Sequence, residues 1–107
     1  MTLQLLAPYV LACQSTVVWN PAAFPTATIT LTEDVTWGDP VPLEPGATYF
    51  LSIVQDATGS RLITWSALFK WPAGTPPTLT TTAGATDIIA LITDGAFLYG
   101  VPQYNFS

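Results

Sequence analysis

The sequence predicts an all-β fold: an antiparallel, jelly-roll-like β-sandwich of about six to eight short strands, preceded by an extended N-terminal arm. Three observations point there. Seventeen of the 107 residues are Thr, whose branched side chain is stiff and suits a pleated strand. Ten are Pro, which removes a backbone donor and breaks helix interiors. Apolar and polar residues alternate with a period of two between Gly-, Asp- and Pro-rich turns, and no long stretch repeats at 3.6. The length is that of one domain, read as an arm over residues 1–25 and a sandwich over residues 26–107.

The arm is apolar, lacks a clean period and carries Pro8, Pro21 and Pro25. This composition suits an extended arm or a pair of edge strands, with at most a short helical turn around Leu3–Leu6. Its surplus of apolar side chains, Leu3, Leu5, Leu6, Tyr9, Val10, Leu11, Trp19 and Phe24, marks the expected interface with another chain. Val10-Leu11-Ala12-Cys13 superficially resembles a lipoprotein cleavage box. No Lys or Arg precedes it and Pro8 interrupts the apolar run, so the segment is not read as a signal.

Thr28-Ile29-Thr30-Leu31-Thr32 alternates strictly and sends Ile29 and Leu31 to one face. Glu33-Asp34 ends this strand, with Val35–Trp37 as its resumption and a turn-rich loop from Gly38 to Gly46. Thr48–Val54 is expected to form a hairpin with Arg61–Trp65, its loop ends bridged by an Asp56–Arg61 ion pair. A second hairpin joins Asp87–Thr93 to Ala96–Val101 through Asp94-Gly95, a type I′ dipeptide. The Asp87–Thr93 strand is apolar on both faces and should be central and covered on both sides. Between the hairpins, the Pro-rich stretch Phe69–Thr80 reads as an extended crossover from one sheet to the other. The expected core holds Ile29, Leu31, Leu51, Ile53, Ile63, Ile89 and Leu91.

Composition excludes several functions. Half the residues are hydrophobic, which is incompatible with disorder. Only 8% are charged, against roughly 25% in ordinary soluble domains; much of the surface is therefore expected to meet protein. Two cations against seven anions give a net charge of −5. Arg61 and Lys70 cannot neutralise a nucleic-acid backbone, and an anionic membrane is disfavoured for the same reason. With no His there is no imidazole base or ligand. The single Cys13 has no disulfide partner within the chain and reads as a small apolar residue. The carboxylates Glu33, Asp34, Asp39, Glu44, Asp56, Asp87 and Asp94 fall mostly in apparent turns and do not suggest a glycosidase pair. The expectation is a non-enzymatic protein with no catalytic residue, cofactor or metal.

The aromatic residues Trp19, Trp37, Trp65, Trp71, Tyr49, Tyr99 and Tyr104 are read as core and subunit contacts, with a sugar-stacking platform as the alternative. Trp71-Pro72 reads as a packing corner. Lys70, between two aromatics, is expected to lay its stem over the sheet and bring its ammonium to Asp87 or a carbonyl.

Specific stretches add a resemblance. Gln55-Asp56-Ala57-Thr58-Gly59-Ser60-Arg61, Thr64-Trp65, Lys70-Trp71-Pro72, Gly74-Thr75-Pro76-Pro77-Thr78-Leu79, Asp87-Ile88, Thr93-Asp94-Gly95 and Tyr99-Gly100 occur in the order of a module common in tailed-phage virion proteins. The chain resembles that module from Ala27 to Phe106, and departs from it at Ser66, where such modules place Pro after the Trp, and in its small size. The resemblance implies a virion structural protein. Chain length, apolar arm and low charge point to a capsid decoration (cement) protein, a homotrimer contacting the major capsid protein or other virion proteins on the capsid surface. The alternative is a tail-fibre or head-fibre domain that recognises host surface glycan. Copy number separates them: hundreds per particle for decoration, tens or fewer for a fibre.

Overall fold

The computed structural model describes residues 8–106, so Leu3, Leu5 and Leu6 and the helical turn expected around them lie outside the described residues. Nine strands follow in chain order: β1 (Tyr9–Val10), β2 (Thr16–Val17), β3 (Thr26–Leu31), β4 (Val35–Trp37), β5 (Thr48–Gln55), β6 (Ile63–Thr64), β7 (Phe69–Lys70), β8 (Thr86–Thr93) and β9 (Leu98–Phe106). Among the described residues a single 3-10 turn, Pro72–Gly74, interrupts the β structure. The fold is all-β, as the Thr content and alternation require.

The strands form a six-stranded sheet in the order β1-β3-β5-β8-β9-β7 and a three-stranded sheet in the order β2-β4-β6. From β1 to β7 the chain alternates between the two sheets at every step, laying β1, β3 and β5 side by side in one and β2, β4 and β6 in the other. It is a flattened coil of three turns, and a coil always enters a sheet from the same end. These pairings are consequently parallel: Tyr9 opposite Ala27, Ile29 opposite Ile53, Thr16 opposite Thr36 and Val35 opposite Ile63. Only β5–β8 and β8–β9 are antiparallel. The sheets are thus mixed, and the antiparallel jelly-roll arrangement expected from the sequence is corrected.

Several local expectations change with it. Residues 9–17 supply the first edge strand of each sheet, so within the described residues the segment assigned to an arm is the first turn of the coil. Leu11, Val17 and Trp19 are buried in the core. The Arg61–Trp65 segment does not pair with β5; β6 lies in the other sheet against β4. Residues 71–85 connect β7 to β8 within one sheet rather than crossing between sheets. The β8–β9 hairpin exists, but its last pair is Thr93–Leu98, leaving a four-residue loop. Its geometry is fixed by side chains: Asp94 Oδ1 accepts from the Ala96 and Phe97 N–H groups at 2.9 Å. Thr93 Oγ1 accepts from Gly95 N–H and donates to the Phe97 carbonyl. The Phe97 and then the Ala96 N–H hold the Asp94 carboxyl below its usual range, with a further contribution from the Tyr99 hydroxyl.

The core is a slab of inward-facing side chains: Ala27, Ile29 and Leu31 on β3, Tyr49, Leu51 and Ile53 on β5, Ile89 and Leu91 on β8, and Leu98 on β9. Trp19 and Trp37 close it from the smaller sheet, edge-on to one another at 6.4 Å. Of the expected core only Ile63 is partly exposed, because β6 is an edge strand.

Three polar side chains tie the loops to this slab. Buried Gln55 uses its whole amide: Nε2 donates to the carbonyls of Arg61 and Thr80, and Oε1 accepts from Arg61 N–H. Buried Asp87 accepts from Thr80 N–H at 2.7 Å and from Asn105 N–H at 2.8 Å. It joins the Pro-rich connection to the end of β9, where the pairing slips between Thr86 and Ile88. Asp56 pairs with Arg61 at 3.1 Å as expected, and also accepts from Thr58 and Gly59 N–H. The Arg61 guanidinium and then the Gly59 N–H hold its carboxyl below the usual range. Gly59 sits at φ +74°, with Thr81 O 2.5 Å from where a Cβ would stand, so this loop admits only glycine there.

Candidate functional site: an aromatic cleft at the last edge of the sandwich

Each sheet ends on a two-residue strand, β6 in the smaller and β7 in the larger. Where these two edges meet, a cleft of about 600 Å³ opens, lined on one side by Ile63, Thr64, Trp65 and Ser66, and on the other by Phe69, Lys70 and Trp71. That volume falls within the range of small-molecule sites. β1 and β2 form the opposite edges of the two sheets, so the chain enters the domain at one side and presents the cleft at the other.

The cleft wall is a chain of rings. Trp37, fully buried, meets Trp65 at 5.4 Å and Phe69 edge-on at 6.5 Å. Trp65 contacts Phe69 at 4.8 Å and Trp71 at 5.1 Å, at 55° and 62°. Phe69 and Trp71 stack at 5.8 Å and 6°. Phe69 and Trp37 lie in the core, whereas Trp65 and Trp71 are half-buried and open to the cleft. Trp71 is fixed from behind by Gly100: a Cβ built there would collide with the indole ring. Gly100 therefore supplies the flat backbone on which the indole lies, and Trp71-Pro72 is the corner the sequence suggests.

Electrostatically the cleft carries one positive charge and no carboxylate. Lys70 is its one charged lining residue, and its Nζ stands 4.6 Å over the Phe97 ring. This corrects the expected contact with Asp87, whose oxygens are occupied by backbone N–H groups. Thr64 and Ser66 add hydroxyls, the latter accepting from Leu68 N–H at 3.1 Å. Among the described residues, no three His, Cys, Asp or Glu side chains gather in a way that would hold a metal ion. The cleft offers two half-buried indoles, hydroxyls and one ammonium, groups that can hold a polyhydroxylated molecule.

The residues expected at an interface separate into two groups. Leu11 and Trp19 are core; Trp19 Nε1 donates to the Phe24 carbonyl and its ring packs on Tyr49. Tyr9 and Phe24 are surface residues whose rings stack 3.8 Å apart, and Val10 is largely exposed on the edge strand. None of them lines the cleft. In the sequence, Trp65 and Trp71 stand out as members of the aromatic set and of the stretches that carry the resemblance, and Trp71 also as a corner with Pro72. No signal of strand length or period separates them from the core indoles, since Trp19 too stands beside a two-residue strand, β2.

A family model described as "Putative phage tail fibre C-terminal domain" matches residues 19–97, a span that includes every residue lining the cleft. No curated protein and no solved structure matches the chain.

Proposed function

Because the chain belongs to the phage tail fibre C-terminal domain family and is a virion structural protein, we propose that it forms the host-contacting end of a tail fibre and binds host surface glycan in the cleft. The observation that carries this reading is the pair of half-buried indoles, Trp65 and Trp71, set at the edge farthest from β1. A pyranose presents C–H groups on one face, which the negative face of an indole attracts, while its hydroxyls reach Thr64, Ser66 and Lys70. Low charge suits a neutral glycan, since no carboxylate lines the cleft. The capsid decoration reading loses ground on the same observations: the family match names a tail fibre, and the apolar segment meant to grip a capsid lattice is, where described, part of the sandwich itself.

Binding of the full chain to polysaccharide purified from the host surface tests this. Trp71→Ala and Trp65→Ala are each expected to weaken binding roughly tenfold, about 1.4 kcal/mol, with an unchanged circular dichroism spectrum. Parent protein that fails to bind, or folded variants that bind as well as the parent, would exclude the cleft.

A further inference from the structure

The smaller sheet carries a row of threonines on its outer face. Its strands are parallel, and the register sets Thr16 opposite Thr36 and Thr36 opposite Thr64. All three side chains are exposed, while their neighbours Val17, Val35 and Trp37 fill the core. Parallel pairing repeats equivalent atoms at the strand spacing, so the hydroxyls recur at about 4.8 Å. That distance is close to the length of one pyranose unit along a glycan chain. Thr64 also lines the cleft. The row therefore begins at the cleft and runs from β6 across β4 to β2, the far edge of the sheet. Leu62, two residues before Thr64, and Val18, two residues after Thr16, are 55% and 71% exposed and add apolar surface beside the row.

Taking the cleft as the glycan site, on which this inference rests, we propose that the row continues it. Thr64, Thr36 and Thr16 are successive contact points for one polysaccharide chain, and the domain binds an internal stretch of a polymer rather than a single terminal sugar. The chemistry of the row matches that ligand. A threonine hydroxyl both donates and accepts hydrogen bonds, as does each sugar hydroxyl, and its methyl group can meet the C–H groups of the sugar ring. The branched Cβ leaves few rotamers, so little side-chain freedom is lost on binding. Buried Thr93 uses its hydroxyl within the protein, on Gly95 N–H and the Phe97 carbonyl; the three hydroxyls of the row stand on exposed residues, open to an outside partner. The cleft has the size of a small-molecule site, so a longer glycan must leave it, and the edge that carries Thr64 leads onto the outer face. A protein partner would find neither an aromatic anchor nor an Arg in the row.

Fragments of the host surface polysaccharide, released by partial acid hydrolysis and sized by gel filtration, test this when titrated calorimetrically into the full chain. Affinity is expected to rise at least tenfold from the shortest fragment that binds to fragments longer by about the span of the row. Thr36→Val and Thr16→Val keep the branched shape and remove only the hydroxyl. Each should weaken binding of long fragments roughly threefold or more and leave the shortest fragment unchanged, with the parent's circular dichroism spectrum. Trp71→Ala, in contrast, should weaken fragments of every length. Short fragments that bind with no gain on lengthening, or a gain that the two valine substitutions together leave intact, would overturn the row while the cleft stands. Fragments that fail to bind at every length would exclude the cleft and the row with it.

Discussion

Asp87→Ala is expected to cost about 3 kcal/mol or more and to lower the melting temperature by roughly 12–24 °C. The carboxylate is buried and bonded to the N–H groups of Thr80 and Asn105. Hydrogen bonds to a charged group contribute about 1.5–3 kcal/mol each, and alanine leaves both donors unpaired. The two segments it joins are distant in sequence, so the loss frees the Pro-rich connection and the end of β9 together. Asp87→Asn keeps one accepting oxygen and turns the other into a donor facing a donor; it should fall between parent and alanine. Thermal melting followed by circular dichroism checks the series. A melting temperature for Asp87→Ala within about 2 °C of the parent, well under the shift for 1 kcal/mol, would show that these bonds contribute nothing.

Gly100→Ala is the second large effect, and it joins stability to the cleft. A methyl group at this position collides with the Trp71 indole, and Gly100 is buried in β9 between β8 and β7. The backbone is held by two neighbours, so the indole must move. Overpacking of this kind costs about 1–3 kcal/mol, and the displaced indole no longer forms the cleft wall, so glycan binding should fall at least tenfold. The cause is separable. On a Trp71→Ala background the collision is gone, and Gly100→Ala should then cost less than about 0.5 kcal/mol. Equal costs on both backgrounds would place the strain elsewhere.

The unequal legibility of the sequence has a physical basis. β3 and β5 were readable because Ile29, Leu31, Leu51 and Ile53 alternate over six to eight residues. The Asp56–Arg61 pair was readable because it spans one local loop. The coil was not. Parallel and antiparallel partners impose the same period of two, and β1, β2, β6 and β7 have two residues each, too few to show any period. Once the coil is in place, Leu11 and Trp19 become core residues, since the first turn must fill the open end of the slab. The cleft shares this origin. Four Trp residues look alike in the sequence, and only the tertiary packing decides that Trp19 and Trp37 are enclosed while Trp65 and Trp71 line an open cleft. The two-faced β8 is the opposite case: its pattern was clear, and the single chain satisfies only half of it, with Ile89 and Leu91 buried and Ile92 exposed.

The proposed contact of this domain with the host runs through the Trp65–Trp71 cleft. Competition for adsorption tests it. Host cells are incubated with the purified protein, then exposed to the parent phage, and the rate of particle attachment is measured. The parent protein should slow attachment in proportion to its concentration, and folded Trp71→Ala should do so only at roughly tenfold higher concentration. Attachment that proceeds at the same rate with saturating parent protein, or that Trp71→Ala slows equally well, would contradict the claim.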